Sequence, residues 1–141
     1  MIDRQKHGPW AVIAGGSEGL AVEFADRLAA AGINLILLAR SRQKLDALAA
    51  QIRARHAVEV RPVAMDLTAP DMLDEVSAAT DGLAVGSLLY VAGAGGEACP
   101  LVEQPLAEVR RIIDLNVVGQ TLLARHFGKA MGERGSGAIL L

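Results

Sequence analysis

The stretch Trp10-Ala-Val-Ile-Ala-Gly-Gly-Ser-Glu-Gly-Leu-Ala21 determines how this chain begins to fold. Its apolar residues 11–14 predict a short buried strand, and a helical pattern begins at Leu20. Between them lie three glycines: Gly15, Gly16 and Gly19. A strand, a glycine turn and a helix present backbone N–H groups at the start of the helix, where a phosphate can bind. The spacing, G-x-x-x-G-x-A, is also compatible with a tight turn that binds no ligand.

The composition of the 141 residues limits both the fold and the partners. Hydrophobic residues make up 52% and aromatic residues only 3%, so the core must consist mainly of Ala, Val, Leu and Ile. This is typical of a buried parallel sheet between alanine-rich helices, and the length suits a single domain over residues 1–141. The net charge of −2 provides neither a basic surface for nucleic acid nor a polybasic membrane patch.

Cysteine use and the N-terminus favour a reducing compartment. Cys99 is the single cysteine, which excludes an intrachain disulfide and a multi-cysteine zinc site. The three histidines lack the spacing of metal ligands. Residues 1–9 contain no apolar signal core, and no uncharged apolar stretch approaches the roughly 18 residues that span a bilayer. We therefore expect a cytoplasmic protein with no metal and no membrane span.

Apolar runs and helical patterns alternate along the chain. Strands are predicted over residues 10–14, 33–39, 58–65, 87–91 and 137–141, with Pro62 placing the third near a sheet edge. Helices are predicted over about 18–31, from Ser41, from Thr68 or Asp71 to about Gly82, and over about 104–132. The last helix has a predicted apolar face: Val109, Ile112, Ile113, Val117, Ala124 and Phe127. Such alternation requires right-handed crossovers, so we predict an α/β, Rossmann-type doubly wound parallel sheet that stops after its fifth strand.

Glycines or polar groups follow four of the predicted strands where each strand ends. They are residues 15–19, Arg40, Asp66 and residues 92–96. In open parallel sheets, ligands bind outside the carboxyl ends of the strands, where the winding direction reverses. The four strand ends together therefore favour a bound nucleotide much more than the first glycine turn does alone.

On these residues the chain resembles the short-chain dehydrogenase/reductase family over nearly its whole length. The family's T-G-x-x-x-G-x-G motif corresponds to residues 14–21, with Ala14 in place of the threonine and Ala21 in place of the last glycine. The family's acidic residue after the third strand, near the adenine, corresponds to Asp66, which Leu67 follows.

Two further motifs extend the resemblance. The family's N-N-A-G motif appears as Tyr90-Val91-Ala92-Gly93, which keeps the Ala-Gly half and loses both asparagines. The asparagine of the family's long fourth helix corresponds to Asn116 in the run Asn116-Val-Val-Gly119, and residues 134–141 resemble the approach to the strand that ends in the catalytic serine. The resemblance implies this set of cofactor-binding residues: Gly15, Gly16, Ser17, Glu18, Gly19, Leu20, Arg40, Asp66, Leu67, Ala92, Gly93 and Asn116.

The residue after the second strand indicates which dinucleotide binds. A carboxylate there would bind the ribose hydroxyls of NAD and repel a 2′-phosphate. The chain instead has Ala39 followed by Arg40, with Arg42 nearby, and a guanidinium can bind a phosphate through two charge-assisted hydrogen bonds. In the family such an arginine resembles that of the NADP-preferring members, so we expect NADP rather than NAD. The alternative is that Arg40, Arg42 and Lys44 form an ordinary charged helix start.

The family's proton-donating groups have no counterpart in these residues. The resemblance implies a tyrosine in Y-x-x-x-K and a serine after the fifth strand, but the single tyrosine, Tyr90, is followed four residues later by Ala94. Ser136 precedes the fifth strand and lies at its opposite end. Of the family's four catalytic groups only Asn116 is present, and its family role is to hold a water of the proton relay. The alternative is a core asparagine bonded to helix backbone, and both roles can hold together.

We therefore expect the cofactor-binding portion of an NADP-dependent oxidoreductase that acts on a small or lipid-like ketone or secondary alcohol, with no turnover by this chain alone. The alternatives are a non-catalytic NADP-binding module and a structural or interaction fragment that binds no nucleotide. A sheet that stops at its fifth strand has an apolar edge, and in the family the helix from Gln104 packs against a partner subunit. We therefore expect oligomerisation, as a homo-oligomer, or else poor solubility or a missing continuation of the chain.

Overall fold

A five-stranded parallel sheet forms the centre of the protein. The structure is a computed structural model that describes residues 2–95 and 98–141. The strands are β1 (Trp10–Ala14), β2 (Asn34–Ala39), β3 (Val60–Ala64), β4 (Val85–Tyr90) and β5 (Ala138–Leu140). Their order in the sheet is β3-β2-β1-β4-β5. All the predicted strands are confirmed, although β3 begins later and β4 begins earlier than the sequence pattern indicates, and Pro62 lies in an edge strand as predicted.

Helices connect the strands and cover both faces of the sheet. They are α1 (Arg4–His7), α2 (Leu20–Ala30), α3 (Arg42–Arg55), α4 (Met72–Thr80), a 3-10 turn (Leu101–Glu103), α5 (Leu106–Ile113), a π-helical segment (Asp114–Gly119) and α6 (Gln120–Arg134). The short helix α1 was not predicted, because no apolar periodicity marks it; the Asp3 carboxylate caps it by accepting from the backbone N–H of Gln5 at 2.8 Å. None of the described helices is both long and apolar enough to cross a bilayer.

Alternate residues of the central strands face opposite sides of the sheet. Ile13 and Leu37 are fully buried on the side of α2 and α3. Val12 and Ile36 are fully buried on the side of α4 and α6, where Leu123 packs with them. Burial of each such side chain stabilises the fold by about 1.5–3 kcal/mol, so the continuous apolar runs of β1 and β2 are the natural sequence for a sheet covered on both faces. The predicted doubly wound α/β fold is confirmed.

The predicted apolar face of the last helix is wrong in its middle. Ile113 and Val117 are 46% and 53% exposed, whereas Leu123 and Met131 are buried against the sheet. The helix contains the π-helical segment, whose turns hold more residues than α-helical turns, so side chains beyond it face directions that a constant period does not give. A period of 3.6 residues cannot be carried through this segment.

Candidate functional site

A cavity of about 580 Å³ lies at the carboxyl ends of the strands. Residues from the ends of β1, β2, β3 and β4 and from the helical region after β4 line it: Gly15, Ser17, Glu18, Ala39, Arg40, Ser41, Lys44, Met65, Asp66, Leu67, Thr68, Val91, Ala92, Gly93, Arg111 and Leu115. The strand ends that the sequence singled out therefore meet in one place. Four predicted site residues do not line the cavity: Gly16, Gly19, Leu20 and Asn116.

Gly15 fits the turn after β1 for two independent reasons. Its φ is +88°, a conformation that side chains disfavour. A Cβ at this position would also lie 2.5 Å from the backbone nitrogen of Ala92. The close approach arises because the N–H groups of Val91 and Ala92 both donate to the carbonyl oxygen of Ala14, at 2.8 and 2.9 Å. The chain after β4 is thus held against the glycine turn, and together they form one wall of the cavity.

The start of α2 has unpaired backbone donors. Gly19 has φ +59° and ψ −128°, and no side chain caps the helix. The N–H groups of Gly19 and Leu20 have no acceptor among the residues that the structure describes. A Cβ on Gly19 would meet nothing within 4 Å, so the backbone is open to a ligand. Free N–H groups at a helix start suit an anion. The Leu20 side chain is 71% exposed and contributes nothing to the cavity.

Two cationic side chains near the end of β2 line the cavity: Arg40 follows β2, and Lys44 lies at the start of α3. Arg40 is exposed and forms no ion pair or hydrogen bond with any residue in the described ranges. Lys44 pairs with Glu18 across the cavity. Arg42, which lies near Arg40 in the sequence, instead pairs along its own helix with Asp46, at 2.9 Å, and does not line the cavity. The reason is helical geometry, because residues 42 and 46 lie on one face of α3.

Asp66 is held as a carboxylate at the end of β3. Its Oδ1 accepts hydrogen bonds from the backbone N–H of Thr68 at 2.9 Å and from the Thr68 hydroxyl at 2.8 Å. These two bonds hold the pKa of the Asp66 carboxyl below its ordinary value, and the positive charges of Arg40 and Arg111 act in the same direction. Oδ2 has no partner among the described residues and is available to accept a hydrogen bond from a ligand.

Asn116 connects the long helix to the loop after β4. Its Oδ1 accepts from the backbone N–H of Ala94 at 3.0 Å, and its Nδ2 donates to the Ala94 carbonyl oxygen at 2.8 Å. The alternative interpretation, an amide bonded to helix backbone, is therefore wrong: the partner is loop backbone, because the π-helical segment directs Asn116 toward the loop. One oxygen lone pair and one N–H of the amide remain for other partners.

Tyr90 is not placed to donate a proton. Its side chain is buried, its hydroxyl donates to the carbonyl oxygen of Leu115 at 2.7 Å, and burial raises its pKa to about 12. A general acid near neutral pH needs a pKa shifted the other way. A Cβ on Gly119 would lie 2.7 Å from this hydroxyl, so the glycine makes room for it.

Several residues that line the cavity are not among those predicted from the sequence. Thr68 carried a usable signal, since a threonine two residues after an aspartate often bonds to it locally. Arg111 carried none, because it reaches the cavity from α5 only through the tertiary fold; it pairs with Glu108 at 2.5 Å. Gly96, the last of the glycines noted after β4, lies outside the described residues. Within residues 2–95 and 98–141, no group of His, Cys, Asp or Glu is arranged to hold a metal ion.

Comparison with known proteins gives the family. The short chain dehydrogenase family pattern matches residues 9–141. The chain therefore belongs to the short-chain dehydrogenase family. The family is one of oxidoreductases, and the sheet order and the glycine turn of this chain are those of a Rossmann-like fold.

Three relatives show how far the similarity extends. A 7beta-hydroxysteroid dehydrogenase of Collinsella aerofaciens is 31% identical over 137 residues, which cover 97% of this chain and 52% of the relative. A very-long-chain 3-oxoacyl-CoA reductase of Aspergillus clavatus is 36% identical over 94% of this chain and 39% of the relative. The solved structure of a short-chain dehydrogenase from Sphingobium yanoikuyae in complex with NADPH is 35% identical, with a TM-score of 0.85 over 93% of this chain and 51% of that one. The chain spans about half the length of the relatives it matches, or less.

Proposed function

We propose that this chain is the NADP-binding portion of a short-chain oxidoreductase that acts on a ketone or secondary alcohol. The observation that carries the proposal is the Arg40 guanidinium, which forms no ion pair with any described residue and lines a cavity where Ala39 ends β2. An NAD-preferring site has a carboxylate at this strand end to bind the ribose hydroxyls, whereas a free arginine is suited to a 2′-phosphate.

Other residues that line the cavity, or lie beside it in the glycine turn, suit the other parts of the dinucleotide. The free N–H groups of Gly19 and Leu20 would bind the pyrophosphate, and Gly15 and Gly16 keep the turn compact beneath it. Asp66 would accept from the adenine amino group through its free oxygen, next to Leu67. Ser17, Glu18, Ala92 and Gly93 complete the walls. A relative of the same fold was solved in complex with NADPH, which supports the assignment.

Bound NADPH would supply a hydride to a carbonyl carbon, and the reverse reaction would oxidise a secondary alcohol. Asn116 is the catalytic residue that we assign to this chain: its free N–H and lone pair would hold a water of the proton relay while its other two groups fix the loop at Ala94. The names of the relatives, a hydroxysteroid dehydrogenase and a 3-oxoacyl-CoA reductase, favour a lipid-like substrate.

We also propose that these 141 residues do not turn over substrate by themselves. Y-x-x-x-K does not occur in them, and Tyr90 is buried and already bonded. A homo-oligomer is favoured by exposed apolar side chains on the π-helical segment and α6: Val117, Val118 and Leu122.

The test is a calorimetric titration of the chain with NADPH and with NADH. We expect NADPH to bind more tightly than NADH. Arg40→Asp should lower the affinity for NADPH by about ten- to a hundredfold, because a charge-assisted hydrogen bond is replaced by repulsion. Arg42→Asp, which makes the same charge change outside the cavity, is the matched control and should leave the preference intact. Equal or tighter binding of NADH by the wild type would refute the assignment.

A melting experiment separates a nucleotide-binding protein from a purely structural one. Ligand at 100-fold its dissociation constant adds about 2.7 kcal/mol to the free energy of unfolding, which raises the melting temperature measurably. If NADPH leaves the melting curve unchanged at millimolar concentration, the chain has no nucleotide site.

A further inference from the structure

A carboxylate lies in the glycine turn, where the ligand's phosphates are expected. Glu18 lines the cavity between Ser17 and Gly19, and its side chain is 62% exposed. Its ion-pair partner is Lys44, in the first turn of α3, which also lines the cavity and is 56% exposed. The pair joins the turn after β1 to the start of α3.

The other charged groups of the lining do not neutralise Glu18. Asp66 receives the electrostatic effects of Arg40 and Arg111, and Arg111 forms an ion pair with Glu108. Among the residues that the structure describes, Lys44 is the only cation in an ion pair with Glu18. Without Lys44, the negative charge of Glu18 would be unpaired in the same cavity lining that contains Arg40.

We propose that Lys44 is a specificity-determining residue of the nucleotide cavity, which acts by neutralising Glu18 so that a 2′-phosphate can lie beside Arg40. This inference rests on the proposed function. It follows from placement: Arg40 follows β2 directly, Lys44 lies in the first turn of α3, and both line the cavity. The Glu18 carboxylate that pairs with Lys44 therefore belongs to the same part of the lining as Arg40. Two unit charges a few ångströms apart near a protein surface interact strongly enough to change ligand affinity severalfold.

A second ion pair in α3 serves as the control for the Lys44–Glu18 pair. Arg42 and Asp46 form an ion pair in the first turns of α3, as exposed as the Lys44–Glu18 pair, but neither residue lines the cavity. Substitutions in this pair change the charge of α3 by the same amount without removing the neutralisation of Glu18.

The experiment measures calorimetric affinities for adenosine 2′,5′-bisphosphate and adenosine 5′-monophosphate, which differ only in the 2′-phosphate. The variants are Lys44→Gln, Glu18→Gln and both together, with Arg42→Gln and Asp46→Asn as controls. Because all these side chains are exposed, we expect each variant to fold, which circular dichroism checks. Lys44→Gln should lower the affinity for the bisphosphate by about fivefold and the affinity for the monophosphate much less. Glu18→Gln should raise the affinity for the bisphosphate. The affinity of the double variant for the bisphosphate should be within about twofold of the wild-type affinity.

The outcomes separate the inference from the function on which it rests. If the double variant binds the bisphosphate as weakly as Lys44→Gln, the lysine acts without reference to Glu18 and the inference fails. The inference also fails if Lys44→Gln lowers the affinity for the bisphosphate no more than Arg42→Gln does. If the wild type binds neither nucleotide, the proposed function itself fails, and the variants are not needed to show it.

Discussion

Removal of the Tyr90 hydroxyl should loosen the contact between β4 and the π-helical segment. Tyr90→Phe leaves the ring in place but takes away the 2.7 Å hydrogen bond to the Leu115 carbonyl oxygen. Because Tyr90 is only 4% exposed, water cannot readily replace the lost donor. A buried carbonyl that loses its partner costs about 1–2 kcal/mol, and we therefore expect a decrease of that size in the free energy of unfolding. For a domain of this size the melting temperature should fall by about 3–6 °C.

A double-mutant cycle with Gly119 makes this prediction specific. A Cβ at position 119 would lie 2.7 Å from the Tyr90 hydroxyl oxygen but 3.2 Å or more from its other close neighbours. Gly119→Ala should therefore destabilise the wild type, and should cost at least about 0.5 kcal/mol less when Tyr90→Phe is also present. Gly132→Ala in α6 is the matched control: its Cβ would meet nothing within 4 Å, so it should stabilise the helix by up to about 1 kcal/mol.

The assay is urea unfolding followed by circular dichroism, with all variants at one temperature and one protein concentration. Additive effects of Tyr90→Phe and Gly119→Ala would show that the hydroxyl is not what requires a glycine at position 119. In that case the tight contact between β4 and the π-helical segment could not be attributed to the hydrogen bond, and the reasoning from the 2.7 Å approach would be wrong.

Two further measurements test the glycine turn and the Asp66 carboxylate. Gly15→Ala should lower the free energy of unfolding by more than the about 1–2 kcal/mol that a left-handed conformation costs, because its Cβ also meets the backbone of Ala92. Gly82 has a similar φ of +68° but open space around its Cβ position, so Gly82→Ala is the control. Equal decreases in the melting temperatures of the two variants would show that the contact with Ala92 has no effect on stability. The pKa of Asp66 is lowered on folding, so its carboxylate contributes stability above the ordinary value of 3.8 and loses it as the pH falls through the lowered value. The difference in unfolding free energy between the wild type and Asp66→Asn should thus shrink below about pH 4, and a constant difference from pH 7 to pH 2 would contradict this.

Much of the site could be located from local sequence, because local signals determine where a parallel strand ends. Apolar runs predicted β1 and β2, and the glycines and Arg40 follow these runs directly. Since all strands of the sheet are parallel, their carboxyl ends lie on one edge, and the meeting of Gly15, Arg40 and Asp66 in one cavity follows from topology.

The roles of neighbouring charged residues could not be predicted in this way. Arg42 and Lys44 are two residues apart and equivalent in the sequence, yet one pairs with Asp46 along the helix and the other with Glu18 across the cavity. Their separation of about 200° around the helix axis decides the difference, and it has a consequence only once α3 is docked on the sheet.

The order of the strands along the chain, the glycine turn and the family pattern could be predicted from the sequence alone, because they depend on residue type and spacing within short windows. Only the tertiary structure decided that Arg111 reaches the cavity, that Asn116 bonds to Ala94, and that Gly15 must accommodate the backbone at Ala92. Each of these contacts joins segments at least 20 residues apart, and the π-helical segment changes which side chains face the sheet. Such contacts depend on how whole helices and loops dock, which no local pattern specifies.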